Sequence, residues 1–169
     1  GAVADAIFAA SQLVGTFEKP FYIRMETSLC AHSRAEKPAC SNCLNVCPTG
    51  AIVSAGEHVS IDPMICAGCG ACSAVCPSGA ISYDAPSSDF VFRRINTLAS
   101  SYRSAGGKDA TLLVHDDHGG QMISLGARYG RGLPAHVIPM EVDALAGFGH
   151  AEMVGALASG FARVDVLLA

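Results

Sequence analysis

The sequence predicts a chain of mixed α+β class in two parts, a cysteine-bearing domain at residues 1–88 and a small parallel-sheet α/β domain at residues 89–169. Three observations lead to this prediction. All eight cysteines lie in two similar runs between Cys30 and Cys76. Strand and helix patterns alternate after residue 110, which indicates a parallel sheet. Between these regions, P-S-S at 86–88 has the composition of a linker.

The first part is predicted to begin with a packed helix, because apolar residues recur there at helical spacing: Val3, Ile7, Ala10 and Val14. The segment K-P-F-Y-I-R-M-E (19–26) has the pattern of a strand leading into the first cysteine run. Apolar segments at 51–54 and 58–61 flank A-G-E, which predicts a hairpin between the two runs.

The two cysteine runs are copies of one motif. Residues 40–48 read C-S-N-C-L-N-V-C-P and residues 69–77 read C-G-A-C-S-A-V-C-P, and the copies continue as C-P-T-G-A-I and C-P-S-G-A-I. Upstream, M-E-T-S-L-C ends at Cys30 and I-D-P-M-I-C ends at Cys66. The offset is 36 residues for that pair and 29 for the others, so the first copy carries a seven-residue insertion within 31–39.

Four thiolates at this spacing, closed by proline, are typical ligands of iron and sulfide. Zinc also binds C-x2-C pairs, but a zinc ribbon uses four ligands in two pairs and not eight with terminal C-P. A disulfide framework is typical of short secreted chains with small cores, and half of this chain is apolar.

The doubled C-P-x-G-A-I signature resembles the bacterial-type two-[4Fe–4S] ferredoxin family over residues 20–84. The resemblance implies a ferredoxin-like domain with two [4Fe–4S] clusters, in which the fourth cysteine of each run ligates the other cluster. It assigns the first cluster to Cys30, Cys40, Cys43 and Cys76. It assigns the second cluster to Cys66, Cys69, Cys72 and Cys47.

One departure from the family pattern concerns Cys30. The insertion stretches the first spacing to C-x9-C, where the second copy has C-x2-C. A three-cysteine site that holds a [3Fe–4S] cluster is therefore an alternative for the first cluster.

The second part is predicted to alternate helices and strands: helix 89–103, strand 111–115, helix 120–129, strand 136–140, helix 151–161 and strand 164–169. Strand–helix–strand connections imply parallel pairing with right-handed crossovers. The apolar pattern of the last strand is cut off at residue 169, so we expect this domain to be truncated and the natural chain to be longer.

Residues 110–169 resemble the iron–sulfur delta subunit of methyl-viologen-reducing hydrogenases, which passes electrons toward heterodisulfide reductase. The resemblance is carried by H-V-I-P-M-E-V-D-A-L and by G-F-A-R-V-D-V-L-L-A. That family carries cysteines for a [2Fe–2S] cluster, whereas this region has none after Cys76. We therefore expect the α/β part to be redox-silent and to serve in docking.

Loops at two strand ends carry further polar residues and glycines. H-D-D-H at 115–118 has metal-binding residue types, but neighbours in sequence rarely converge on one ion, so a polar loop is favoured. The loop lacks the G-x-G-x-x-G of a dinucleotide site, and its two acids would repel a pyrophosphate. Gly147 and Gly149 are interpreted as turn glycines.

Composition limits the partners. The formal net charge is −4 without a basic stripe, which argues against nucleic acid. No apolar run reaches the length of a membrane helix, and reduced thiols favour the cytoplasm. Residues 1–88 hold seven acids against four bases, a balance more typical of a docked module than of a free electron shuttle.

The function predicted is electron transfer, with single electrons relayed through two [4Fe–4S] clusters to a redox partner protein or to neighbouring domains. No catalytic residue is assigned. Two alternatives remain: an iron–sulfur oxidoreductase whose α/β part binds a substrate or nucleotide, and a regulatory sensor of oxygen or iron.

Overall fold

A computed structural model describes residues 1–16, 18–34 and 37–168. Its helices are α1 (Ala2–Ser11), α2 (Asn42–Val46), α3 (Ala71–Ala74), α4 (Ser88–Ser104), α5 (Asp117–Tyr129) and α6 (His150–Ser159). Its strands are β1 (Ile23–Met25), β2 (Ser33–Arg34), β3 (Lys37–Pro38), β4 (Ile52–Ala55), β5 (His58–Ile61), β6 (Ile81–Tyr83), β7 (Thr111–His115), β8 (Val137–Glu141) and β9 (Arg163–Val166). The mixed class predicted from the sequence is confirmed.

The first helix forms where its apolar spacing predicts it, but the prediction that it is packed is wrong. None of the residues of α1 is buried, and the side chains of Val3 and Ile7 are 75% and 66% exposed. Helical spacing of apolar residues predicts an apolar stripe on one face of a helix, but the helix packs only if another part of the protein covers that stripe. In the described parts of the chain, no helix is long and apolar enough to cross a membrane.

Short antiparallel pairs frame the cysteine runs. The predicted hairpin is confirmed as β4 and β5, and Ala55 pairs with His58 across a tight turn. The predicted strand at 19–26 is shorter than expected, and as β1 it pairs with β6 beyond the second run. The small core between these pairs is formed by two cysteines and three aliphatic residues: Cys43, Ile52, Val59, Cys72 and Ile81.

The C-terminal half contains a three-stranded parallel sheet in the order β8–β7–β9, so the predicted parallel pairing is confirmed. Leu112 and Val114 on the central strand are fully buried. They pack with Ile95 of α4 and Ala156 of α6, so the main core lies between the sheet and these two helices. The last strand ends at Val166, earlier than predicted, and Ala169 lies outside the described residues.

The two halves meet through glycine backbones. A methyl group added at Gly70, beside the second cysteine run, would lie 2.8 Å from the Cα atom of Gly147. One added at Gly149 would lie 2.8 Å from the Cβ atom of Ala74. The reading of Gly147 and Gly149 as turn glycines is incomplete, because neither has a positive φ and both allow a close approach to the cysteine run.

Replacing Gly70 by alanine is expected to destabilise the protein by about 1–3 kcal/mol more than replacing Gly50, because overpacking adds to the backbone strain. Both glycines have positive φ, +75° and +66°, so both alanines carry similar backbone strain. Only at Gly70 does the new methyl group meet another backbone, since nothing lies within 4 Å of the one at Gly50. Denaturant unfolding of the two variants under one condition measures the difference. Equal losses would contradict a close contact between the halves.

Candidate metal centre

The structure gathers the eight cysteines around two cavities. The first cavity is lined by Cys30, Cys40, Cys43 and Cys76. The second is lined by Cys47, Cys66, Cys69 and Cys72. Each cavity thus takes three cysteines from one copy of the motif and the fourth from the other copy, which is the division that the ferredoxin resemblance implies.

The third cysteine of each copy lies deepest. Cys43 lies in α2 and Cys72 in α3, and both side chains are 8% exposed. Burial raises the pKa of the Cys43 thiol, and it raises the pKa of the Cys72 thiol to about 12. Neighbouring sulfurs act in the same direction, because one thiolate opposes the ionisation of the next. Without positive charge in the cavities, these two thiols stay protonated at neutral pH, whereas a bound metal would favour their ionised form.

The fourth cysteine of each copy has a different environment. Burial alone would raise the pKa of Cys47, but hydrogen bonds from the Thr49 hydroxyl and from the backbone amides of residues 49, 51 and 52 lower it overall. Cys76 has the same arrangement, with amides of residues 78, 80 and 81 and the Ser78 hydroxyl lowering its pKa against burial. The sulfur–hydroxyl distance is 3.7 Å in both copies. The C-P-x-G-A-I turn therefore supplies the same donors to both crossing thiolates.

The insertion in the first copy folds back on itself and keeps Cys30 beside Cys40. Strands β2 and β3 form a two-residue ladder within it, and the amide of Ala39 donates to the His32 carbonyl at 2.8 Å. Glu36, in the middle of the insertion, lies outside the described residues. The two cysteines at the ends of the C-x9-C spacing thus both line the first cavity.

His32 holds this loop against the hairpin. Its side chain is buried at 6% exposure and lines the first cavity. The Nδ1 atom donates to the carbonyl of Cys40 at 2.8 Å, and the Nε2 atom lies 2.7 Å from the hydroxyl of Ser54 on β4. Sequence reasoning missed this residue, because a single histidine inside an insertion has no periodic or motif signal.

The polar loop at 115–118 has structural roles. His115 is buried and its Nδ1 donates to the carbonyl of Asp116 at 2.8 Å. The Asp116 carboxylate accepts from the amide of Gly119 and so caps the first turn of α5. Over residues 1–16, 18–34 and 37–168, no three His, Cys, Asp or Glu side chains are grouped to hold a single metal ion.

The cysteine sets fit [4Fe–4S] clusters by their number, sulfur chemistry and arrangement. Each cavity is lined by four thiols, three from one copy of the motif and one from the other. A single tetrahedral zinc ion requires its sulfurs at about 2.3 Å from one point, and among the described residues no three cysteines are placed to hold a single ion. The donors also suit iron and sulfide, because every ligand is a thiol and two of the eight already have lowered pKa values.

A scan against family models matches residues 38–80 to the 4Fe-4S dicluster domain, so the chain contains an iron–sulfur domain of ferredoxin type. Seven of the eight cysteines lie in the matched range, and Cys30 lies outside it, on the far side of the insertion. The match ends before the α/β half, so it does not bear on the resemblance to the hydrogenase delta subunit. Neither a curated protein nor a solved structure matches the chain.

Proposed function

We propose that residues 1–88 form an electron-transfer domain that relays single electrons through two [4Fe–4S] clusters within a larger redox complex or polypeptide. The observation that carries this proposal is the exchange of fourth cysteines between the two cavities. The proposed ligands of the first cluster are Cys30, Cys40, Cys43 and Cys76. Those of the second are Cys47, Cys66, Cys69 and Cys72.

Because each cavity takes its fourth cysteine from the other motif, the two proposed clusters are linked by short segments of chain. Cys47 belongs to the first motif but lines the second cavity, and Cys76 belongs to the second motif but lines the first cavity. Four positions along the chain separate Cys43 in the first cavity from Cys47 in the second, and four separate Cys72 in the second from Cys76 in the first. When bound, a [4Fe–4S] cluster accepts and releases one electron at a potential set by hydrogen bonds to sulfur and by solvent access.

The protein environment sets both the hydrogen bonds to sulfur and the access of solvent. The C-P-x-G-A-I turns direct amides at Cys47 and Cys76, which stabilise negative charge on sulfur. Burial of Cys43 and Cys72 keeps water away from the inner side of each cavity. Because the two turns are copies, we infer that the main difference between the sites is the insertion, which only the first cavity has.

The α/β half, residues 89–169, is proposed to dock this domain in its complex. It has no cysteine, and its loop at 115–118 is used to cap a helix. It also lies against the second cysteine run through Gly147 and Gly149. The partner is proposed to be a redox protein or a neighbouring domain in the cytoplasm, where thiols remain reduced.

Protein reconstituted without oxygen is expected to contain about eight iron and about eight sulfide per chain, since every cysteine is a proposed ligand. Colorimetric iron and sulfide analysis, with Mössbauer spectra to identify the cluster type, measures this. A content of about four iron, or zinc retained in preference to iron, would contradict the two-cluster proposal.

A further inference from the structure

A cavity of about 420 Å³ lies between the two halves, apart from both cysteine sets. Tyr83 of β6 and the first turns of α4 form one side, and the loop that follows β8 forms the other. Its volume falls in the range of small-molecule sites, which commonly occur between domains. It also lies at the carboxyl end of a parallel strand, where α/β sheets bind their ligands.

The lining includes three aromatic and three acidic residues. The three aromatic residues are Tyr83, Phe90 and Phe148. The three acidic residues are Glu141, Asp143 and Glu152. Arg94 is the single basic residue in the lining of this cavity. Its Nη1 atom donates to the carbonyl of Glu141 at 2.8 Å, so one of its donors is already engaged by the wall.

This composition favours a positively charged ligand. The Glu141 carboxylate lies beside Gly120 of α5, so Asp143 and Glu152 are the two carboxylates set against the Arg94 guanidinium. The Glu152 carboxylate also accepts from the Gly149 amide. The lining therefore keeps a net negative charge, which repels phosphates and carboxylates. The faces of aromatic rings attract cations in addition. Phe148 is buried, with 6% of its surface exposed, and Phe90 is 47% exposed. The cavity lining therefore has one aromatic residue at its buried end and one near its opening.

The cavity also contacts the second cysteine run. The Tyr83 hydroxyl donates to the carbonyl of Gly68, between Cys66 and Cys69, at 2.9 Å. Burial and the Asp143 charge raise the pKa of this phenol, which keeps it protonated as a donor. Gly147 lines the cavity and faces Gly70 on its other side. A bound molecule would thus lie one side chain from the loop that carries two cysteines.

We propose that this cavity binds an organic cation that carries an aromatic ring. Such a molecule satisfies both features of the lining, since its charge complements the carboxylates and its ring packs among the aromatic side chains. A nucleotide or another polyanion does not. The site belongs to the interface between the halves, so both of them are needed to form it.

The test uses the full chain and proflavine, a planar aromatic cation, titrated by calorimetry at low ionic strength. One molecule per chain is expected to bind. Phe90→Leu keeps the apolar bulk but removes the ring, and Asp143→Asn removes an exposed charge. Each is expected to weaken binding about two- to fivefold. Glu57→Gln, an exposed acid in the hairpin turn, is the matched control and is expected to leave the affinity unchanged.

Two results would overturn the proposal. The first is no binding, or binding that neither variant weakens. The second is equal binding of acridine-9-carboxylate, an anion with the same ring system, because the charge of the lining would then have no influence.

A second readout depends on the proposed electron-transfer function. Proflavine near the Cys66–Cys69 loop is expected to raise the midpoint potential of one cluster only, because a cation stabilises the more negative reduced state. Redox titration followed by electron paramagnetic resonance measures both clusters. Unchanged potentials with intact binding would remove the link to the cysteine loop. The calorimetric result does not require reducible clusters, so failure of the relay and failure of the site are distinguishable.

Discussion

Replacing Cys47 and Cys69 together by alanine is expected to abolish one cluster and to leave the other as an intact [4Fe–4S] centre. In the proposed arrangement both side chains belong to the second cavity, so the first keeps all four of its cysteines. Iron should fall to about four per chain, and the remaining Mössbauer spectrum should be that of a complete cluster. Alanine is preferred to serine because it offers no oxygen that replaces a thiolate.

The matched control is the pair Cys40→Ala and Cys47→Ala. These two cysteines belong to one sequence motif but line different cavities, so each site loses one ligand. No intact [4Fe–4S] signal is expected to remain in that variant. If the control kept one complete cluster and the Cys47, Cys69 variant kept none, the ligands would be divided by sequence run and the exchange would be wrong.

Replacing His32 by alanine is expected to convert the first cluster to a [3Fe–4S] form. The imidazole joins the carbonyl of Cys40 to the hydroxyl of Ser54 and so closes the inserted loop that carries Cys30 to the cavity. Its loss leaves a partly buried carbonyl without this partner, at a cost of up to about 1–3 kcal/mol, and removes the side-chain link between the loop and β4, although the β2–β3 ladder remains. Cys30 then becomes the ligand that is lost. Electron paramagnetic resonance of the oxidised protein detects a [3Fe–4S] cluster directly.

Two variants separate positioning by His32 from a general loss of stability. His58→Ala, on β5 of the same hairpin, removes a ring whose Nδ1 donates to the carbonyl of the next residue, and it should leave both clusters complete. His32→Asn keeps a donor toward Cys40 and should restore part of the [4Fe–4S] signal. A [4Fe–4S] first site in the His32→Ala variant would show that the insertion holds Cys30 without the imidazole.

The sequence predicted the features that depend on repetition and on spacing along the chain. The duplicated C-P-x-G-A-I signature predicted two matched cysteine sets, and strand–helix alternation predicted the parallel sheet, because both patterns are local. The hairpin at 52–61 follows equally from two short apolar segments around Gly56.

The features that the sequence did not predict depend on what each segment meets in space. The stripe on α1 was read as packed, yet Phe8 is 68% exposed, since periodicity does not say whether a second surface is present. The role of His32 depends on Ser54, which lies twenty-two positions away and across an insertion without a motif. The cavity between the two halves needs the loop after β8 to lie beside Tyr83, and no spacing rule relates those two segments.

The glycine contacts between the halves have a mechanical consequence. Side chains at an interface can adjust one rotamer at a time, so an ordinary interface loosens gradually. Where Gly70 faces Gly147 and Gly149 faces Ala74, these four residues have no rotamer that can adjust, so the contact between the two backbones is fixed by backbone position alone. Gly147 is also part of the cavity wall. Separation of the two halves at this contact would therefore expose both the cavity and the Cys66–Cys69 loop to water.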